Sequence, residues 1–124
     1  ALVFAGRPAC MPRIKVGNLA AARDFTDVRD IVRAYILLME KGGSGEVYNL
    51  GSGRGLAIQA ILDTLLKFSN KHIVVEQDPG RMRPTDVPVV VCDPTKAGAE
   101  LGWHPERPLA TTLREIYDYF LSRI

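Results

Sequence analysis

The sequence is poor in the residues that build metal centres and disulfide frameworks. It has two cysteines, Cys10 and Cys92, and two histidines, His72 and His104. No Cys-x-x-Cys occurs and the histidines lack ligand-like spacing, which argues against the common zinc patterns. Cys92 closes an apolar run and reads as a buried small hydrophobe. So little cysteine fits a reducing, cytoplasmic compartment, with a single disulfide as the alternative. No run of 18 apolar residues exists, so no membrane partner is expected. The apolar first eight residues lack a basic start and a long enough apolar stretch for a signal peptide. There is no initiator methionine, so the chain is expected to begin inside a longer one. The net charge of +2 is too small to point to a nucleic acid. A hydrophobic fraction of 47% with 24% charged residues excludes wholesale disorder, and 124 residues suffice for one core.

The common catalytic sets are also missing. None of Tyr35, Tyr48, Tyr117 or Tyr119 has a lysine four positions later, and no Gly-x-Ser-x-Gly occurs. No catalytic residue is expected in this chain. Gly51-Ser52-Gly53-Arg54-Gly55 imitates a dinucleotide fingerprint, with Glu76 further on. Its third glycine comes one residue early, however, with Leu56 at the required place. It reads as a flexible strand-to-helix turn. Asp27 and Asp30 could form an acid–base pair, but first-turn carboxylates are more often structural.

What is present is an alternation of strand and helix patterns, hence an α/β fold. Residues 13–18 alternate as a strand, and Gly17-Asn18 is placed to turn the chain. A helix follows from Thr26, capped by Thr26 or Asp27, with Val28, Ile31, Val32, Tyr35, Leu38 and Met39 on one stripe. Gly42-Gly43 should end it in the left-handed conformation. Residues 46–50 read as a second strand and residues 73–76 as a third. Between them Ile58, Ile61, Leu62, Leu65 and Leu66 mark a helix. Three prolines keep residues 78–88 irregular. Residues 89–92 read as a short, buried apolar run. Asp93-Pro94 opens a short helix that runs to Leu101 and stops at Gly102. A last helix carries Leu109, Leu113, Ile116, Tyr117, Phe120, Leu121 and Ile124 on one stripe. Residues 1–5 read as the end of a further helix.

The arginines carry the chemistry. Arg23 precedes Asp24-Phe25 at a helix mouth, and Arg81 and Arg83 stand in the proline-rich loop with Asp86 close behind. Guanidinium grips phosphate oxygens through two parallel hydrogen bonds and stays charged at any physiological pH. A carboxylate accepts hydrogen bonds from ribose hydroxyls. Two arginines and an acid on loops of an α/β scaffold suit a nucleoside diphosphate; solvated surface ion pairs are the plainer reading.

These segments are where the chain resembles a known family. Val16-Gly17-Asn18-Leu19, the run Arg23-Asp24-Phe25-Thr26-Asp27-Val28-Arg29-Asp30 through Tyr35, and Val47-Tyr48-Asn49-Leu50-Gly51-Ser52-Gly53 resemble the second half of extended short-chain dehydrogenases/reductases acting on nucleotide sugars. Arg83-Pro84-Thr85-Asp86-Val87-Pro88, Asp93-Pro94-Thr95-Lys96 and Leu101-Gly102-Trp103-His104-Pro105 are similar to GDP-mannose 4,6-dehydratases and related GDP-6-deoxy-4-keto-mannose reductases. The resemblance implies the C-terminal substrate-binding portion, residues 1–124, of an extended Rossmann-type enzyme. The NAD(P)-binding N-terminal Rossmann half would be absent from this chain. NAD(P) would serve the full-length parent and not bind this chain alone. Arg23 and Arg83 would contact the diphosphate of a nucleotide-diphosphate sugar, and Asp86 its ribose. Dehydratases of the family usually carry Glu at the Asp86 position, so Asp leans toward a reductase. Ala57 stands where Ser or Thr often caps the next helix, a loss worth about 1 kcal/mol. The strand at 47–50 and the run 89–92 would join or pack beside the main sheet of the absent half. Apolar surface cut from that half leads us to expect a homo-oligomer. The alternatives are part of a UDP-sugar 4-epimerase-like enzyme, or an autonomous non-catalytic binding module.

Overall fold

The computed structural model describes residues 11–84 and 86–124. The readings that involve residues 1–5 and Cys10 lie outside them. Among the described residues, five short strands and four helices follow one another as β1 (Arg13–Val16), β2 (Ala22–Asp24), α1 (Val28–Lys41), β3 (Gly55–Ala57), α2 (Ile58–Phe68), β4 (Val74–Gln77), β5 (Val89–Val90), α3 (Thr95–Leu101) and α4 (Leu109–Leu121). The expected α/β class holds. β1 and β4 pair in parallel, and β2 lies between antiparallel β3 and parallel β5.

The helices begin and end for local reasons. Asp27 caps α1 by accepting the N–H of Arg29, the better of the two expected caps. Gly102 ends α3 in the left-handed conformation, at φ 66°. Gly42, expected to do the same for α1, is extended at φ −65°; the left-handed glycine of that turn is Gly45. α2 starts at Ala57 with no side-chain cap. The N–H groups of Ile58 and Gln59 instead donate to the carbonyls of Ala21 and Leu19, so the incoming chain supplies the cap.

The core lies between α1 and α3. Ala34, Ala97, Leu101 and Trp103 are buried there, with Ile31, Leu37, Leu38, Tyr48 and Leu50 packed against them. The indole N–H of Trp103 donates to the carbonyl of Asp30 at 2.9 Å. On the other side α2 packs on α4 through Leu62 and Leu113, with Phe68 and Tyr117 edge to face at 5.7 Å.

Several expectations need correction. Residues 46–50 alternate as a strand, with Tyr48 and Leu50 turned inward, but they pair with no described strand. The apolar run at 89–92 carries the two-residue strand β5, and Val89, Val90 and Val91 are exposed rather than buried. The proline-rich loop contains a turn of 3-10 helix at Pro79–Arg81, capped by Asp78. On α1 only part of the expected stripe faces the core; Val28, Val32, Tyr35 and Met39 are exposed, Met39 by 90%. On α4, Ile116, Phe120 and Leu121 are exposed as well, and Ile124 lies exposed beyond the end of the helix.

Candidate functional site

The glycine-rich turn after residue 50 shows why its sequence imitates a phosphate loop. Its N–H groups do converge on an anion, and the anion is the chain's own Asp24. That carboxylate accepts from the N–H and hydroxyl of Ser52, the N–H of Gly53 and the N–H of Cys92. Burial, the largest single influence, pushes the Asp24 pKa up. The Ser52 hydroxyl and the three backbone donors together outweigh it and hold the group below its usual value. Gly51 permits the close approach, since a Cβ there would lie 2.4 Å from Cys92 Cβ and 2.9 Å from Asp24 Oδ2. Gly53 sits at φ 74°. With its amides committed to Asp24, this turn does not fit a dinucleotide pyrophosphate.

Asp27 and Asp30 are structural. Asp27 is bound by the Arg29 guanidinium, which drives its pKa far below the carboxylate range, and by Thr112 of α4. Asp30, 2% exposed, accepts from the N–H groups of Glu106 and Arg107 and from Arg33. Both acids pin α1 to the 104–108 segment and α4.

Two of the three expected binding residues, Arg23 and Asp86, meet beside β2. Arg23 reaches the proline-rich loop, where Nη2 donates to Asp86 Oδ1 at 2.6 Å. Nη1 donates to the carbonyls of Ala22 and Val87, each at 2.8 Å. The second Asp86 oxygen accepts from Asn18 Nδ2 at 2.8 Å. Arg23 and Asp86 thus come from segments 63 residues apart to one direct contact. Arg83 does not join it; the side chain is exposed, with no ion pair to a described residue. The reading of residues missed Asn18 as a partner. The hint available was an asparagine straight after a strand-ending Gly17.

Asn18 also lines a recess of about 450 Å³ between β1, β4 and the start of α2. Its walls are Val16, Ala57 and Val75, and its other carboxamides are Gln59 and Gln77. A larger cleft of about 750 Å³ lies between Phe25, residues 52–56 and residues 104–109, and contains none of Arg23, Arg83 and Asp86. No group of described His, Cys, Asp and Glu side chains could hold a metal ion. No described helix is long and apolar enough to cross a membrane.

With this geometry in hand, the chain can be set beside known proteins. A GDP-6-deoxy-D-mannose reductase from Pseudomonas aeruginosa is 33% identical over 112 residues, 90% of this chain and 37% of that protein. The structure of RMD from Pseudomonas aeruginosa complexed with NADPH matches with a TM-score of 0.83 and 31% identity, over 90% of this chain and 37% of that one. A UDP-glucose 4-epimerase with UDP-glucose from Thermotoga maritima matches with a TM-score of 0.70 and 34% identity, over 91% and 35%. The chain therefore spans little more than a third of the length of these relatives. The sequence model of the GDP-mannose 4,6 dehydratase family covers residues 6–116, nearly the whole chain and both segments that meet at Arg23 and Asp86, and the chain belongs to that family.

Proposed function

We propose that this chain is the C-terminal, substrate-binding portion of an NAD(P)-dependent nucleotide-sugar dehydratase or reductase acting on GDP-mannose or GDP-6-deoxy-4-keto-mannose. The observation that carries the reading is the Arg23–Asp86 contact, which puts a guanidinium and a carboxylate at one mouth of the fold. Arg23 and Arg83 hold the diphosphate, and Asp86 accepts from the ribose hydroxyls. The recess beside Asn18 takes the base between apolar walls, with the Gln59 and Gln77 carboxamides able to donate and accept along its edge. Hydride transfer belongs to NAD(P) in the N-terminal half of the parent, a cytoplasmic enzyme in this reading.

The test is a calorimetric titration of the full-length parent with GDP. Arg83→Ala should weaken binding about 10- to 150-fold, the worth of a charge-assisted hydrogen bond. Arg83→Lys should recover only part, because a point charge cannot reproduce the guanidinium fork. Equal affinities for wild type and Arg83→Ala would remove Arg83 from the site, and equal affinities for Arg23→Ala as well would show the site to be misplaced. A second reading, a UDP-sugar 4-epimerase-like parent, draws on the 34% identity to the Thermotoga maritima epimerase. Tighter binding of UDP than of GDP would favour it.

A further inference from the structure

Asn18 lies outside the diphosphate-and-ribose assignment, yet it completes the network on which that assignment depends. Its Oδ1 accepts the N–H of Ala20 at 3.0 Å, which turns its Nδ2 toward Asp86. Asp86 is then held on both oxygens, by Asn18 on Oδ2 and by Arg23 on Oδ1. Arg23 in turn spends three N–H···O bonds on Asp86 and on the carbonyls of Ala22 and Val87. A guanidinium has five N–H donors, so two remain, enough for one bidentate grip on a phosphate. Each Asp86 oxygen also keeps an acceptor site beyond the bond it already makes.

We infer that Asn18 is a positioning residue for nucleotide binding: it fixes the Asp86 carboxylate, and through it the Arg23 guanidinium, with donors and acceptors left open toward the ligand. Without Asn18 the carboxylate can rotate and take up the donors that Arg23 would otherwise offer to phosphate. This rests on the binding reading above, and adds to it a residue that need not touch the ligand.

Two substitutions separate this role from a local turn. A serine at position 18 can still accept the Ala20 N–H, but is too short to reach Asp86. An aspartate also keeps the turn, but replaces the donor with a second carboxylate facing Asp86. In the full-length parent, Asn18→Ser should weaken GDP binding about 3- to 10-fold, the range for one hydrogen bond, and Asn18→Asp should weaken it further. The KM for the nucleotide sugar should rise in step while kcat stays near wild type, and the melting temperature should stay close to that of wild type. The double variant Asn18→Asp/Asp86→Asn restores a donor opposite an acceptor. It should bind GDP more tightly than the two single losses multiplied together allow. Arg23→Ala and Asp86→Ala are the controls. If they weaken GDP binding and Asn18→Ser does not, the positioning role falls and the binding site stands. If Arg23→Ala and Asp86→Ala leave binding unchanged, or the wild-type parent does not bind GDP or UDP, both fall.

Discussion

Asp24 collects four hydrogen bonds from three residues that are far from it in sequence. Replacing it by asparagine keeps its shape but turns one of its oxygens into an N–H that faces other donors. Asp24→Asn should therefore lower stability by about 1–3 kcal/mol, the cost of buried donors left unsatisfied, read as a shifted urea midpoint at pH 7. The effect has a definite pH sign. Asp24, Asp27 and Asp30 are all held below their ordinary values in the folded state. The unfolded chain then takes up more protons below about pH 4, so stability is full at neutral pH and falls as pH drops through that point. Asp24→Asn should flatten that acid slope in the same urea series; an unchanged slope would sink the assignment. At this scale much was legible. First-turn acids read correctly as structural, and the glycine run as a turn. What a linear reading lacked was the identity of the partner, because Asp24 meets Ser52 and Cys92, and Arg23 meets Asp86, only after long loops close.

Among the elements, the helices were readable and the strands only in part: β1 and β4 were legible, β5 lay inside an expected apolar run, and β2 and β3 were missed. A 3.6-residue period survives in any long amphipathic segment. β2 and β3 have three residues each, and β5 two. Such pieces are strands only because distant segments lie beside them, and no local pattern announces that. Residues 46–50 show the converse, an alternating pattern without a described partner. The α1 helix was located correctly, but four of the six residues on its expected stripe are exposed, since a period does not say what a stripe faces. The small Ala34 and the hydrogen-bonded Asp30 turn out to hold the buried side. The missing cap of α2 gives this scale its prediction. A side-chain cap is typically worth about 1 kcal/mol. Here the first two N–H groups already have carbonyl partners, so Ala57→Ser should raise stability by well under about 1 kcal/mol, measured by urea unfolding. A full gain would show that the Ala21 and Leu19 bonds contribute little.

For the whole molecule, the exposed apolar side chains are the main feature. Val28, Val32, Tyr35, Ile36 and Met39 on α1, with Ile116, Tyr119, Phe120 and Leu121 on α4, are more than a monomer of this size usually leaves in water. A groove between the two helices has Val28, Ile116, Tyr119 and Phe120 in its lining, beside the Asp27–Arg29–Glu115 ion pairs. Under the function proposed above, the N-terminal half of the parent would cover much of this surface. The isolated chain should therefore self-associate in sedimentation velocity and bind a hydrophobic dye. Val32→Glu combined with Phe120→Glu should shift it toward monomer. A monomer at all concentrations, with no dye binding, would favour an autonomous module.

The parallel pairing of β1 with β4 sets an order on biosynthesis. Arg13 and Glu76, which bridge those strands, are 63 residues apart, the same separation as Arg23 and Asp86. Loops of that length close slowly compared with helix formation. On the ribosome α1 and α2 can form as soon as they emerge, while β1 and the Arg23 side chain wait for residues that have not yet been translated. The binding mouth is therefore among the later parts of this chain to form. A ribosome stalled before Asp86 would hold a chain whose Arg23 has no carboxylate to meet and whose α1 and α2 lack their packing partners α3 and α4.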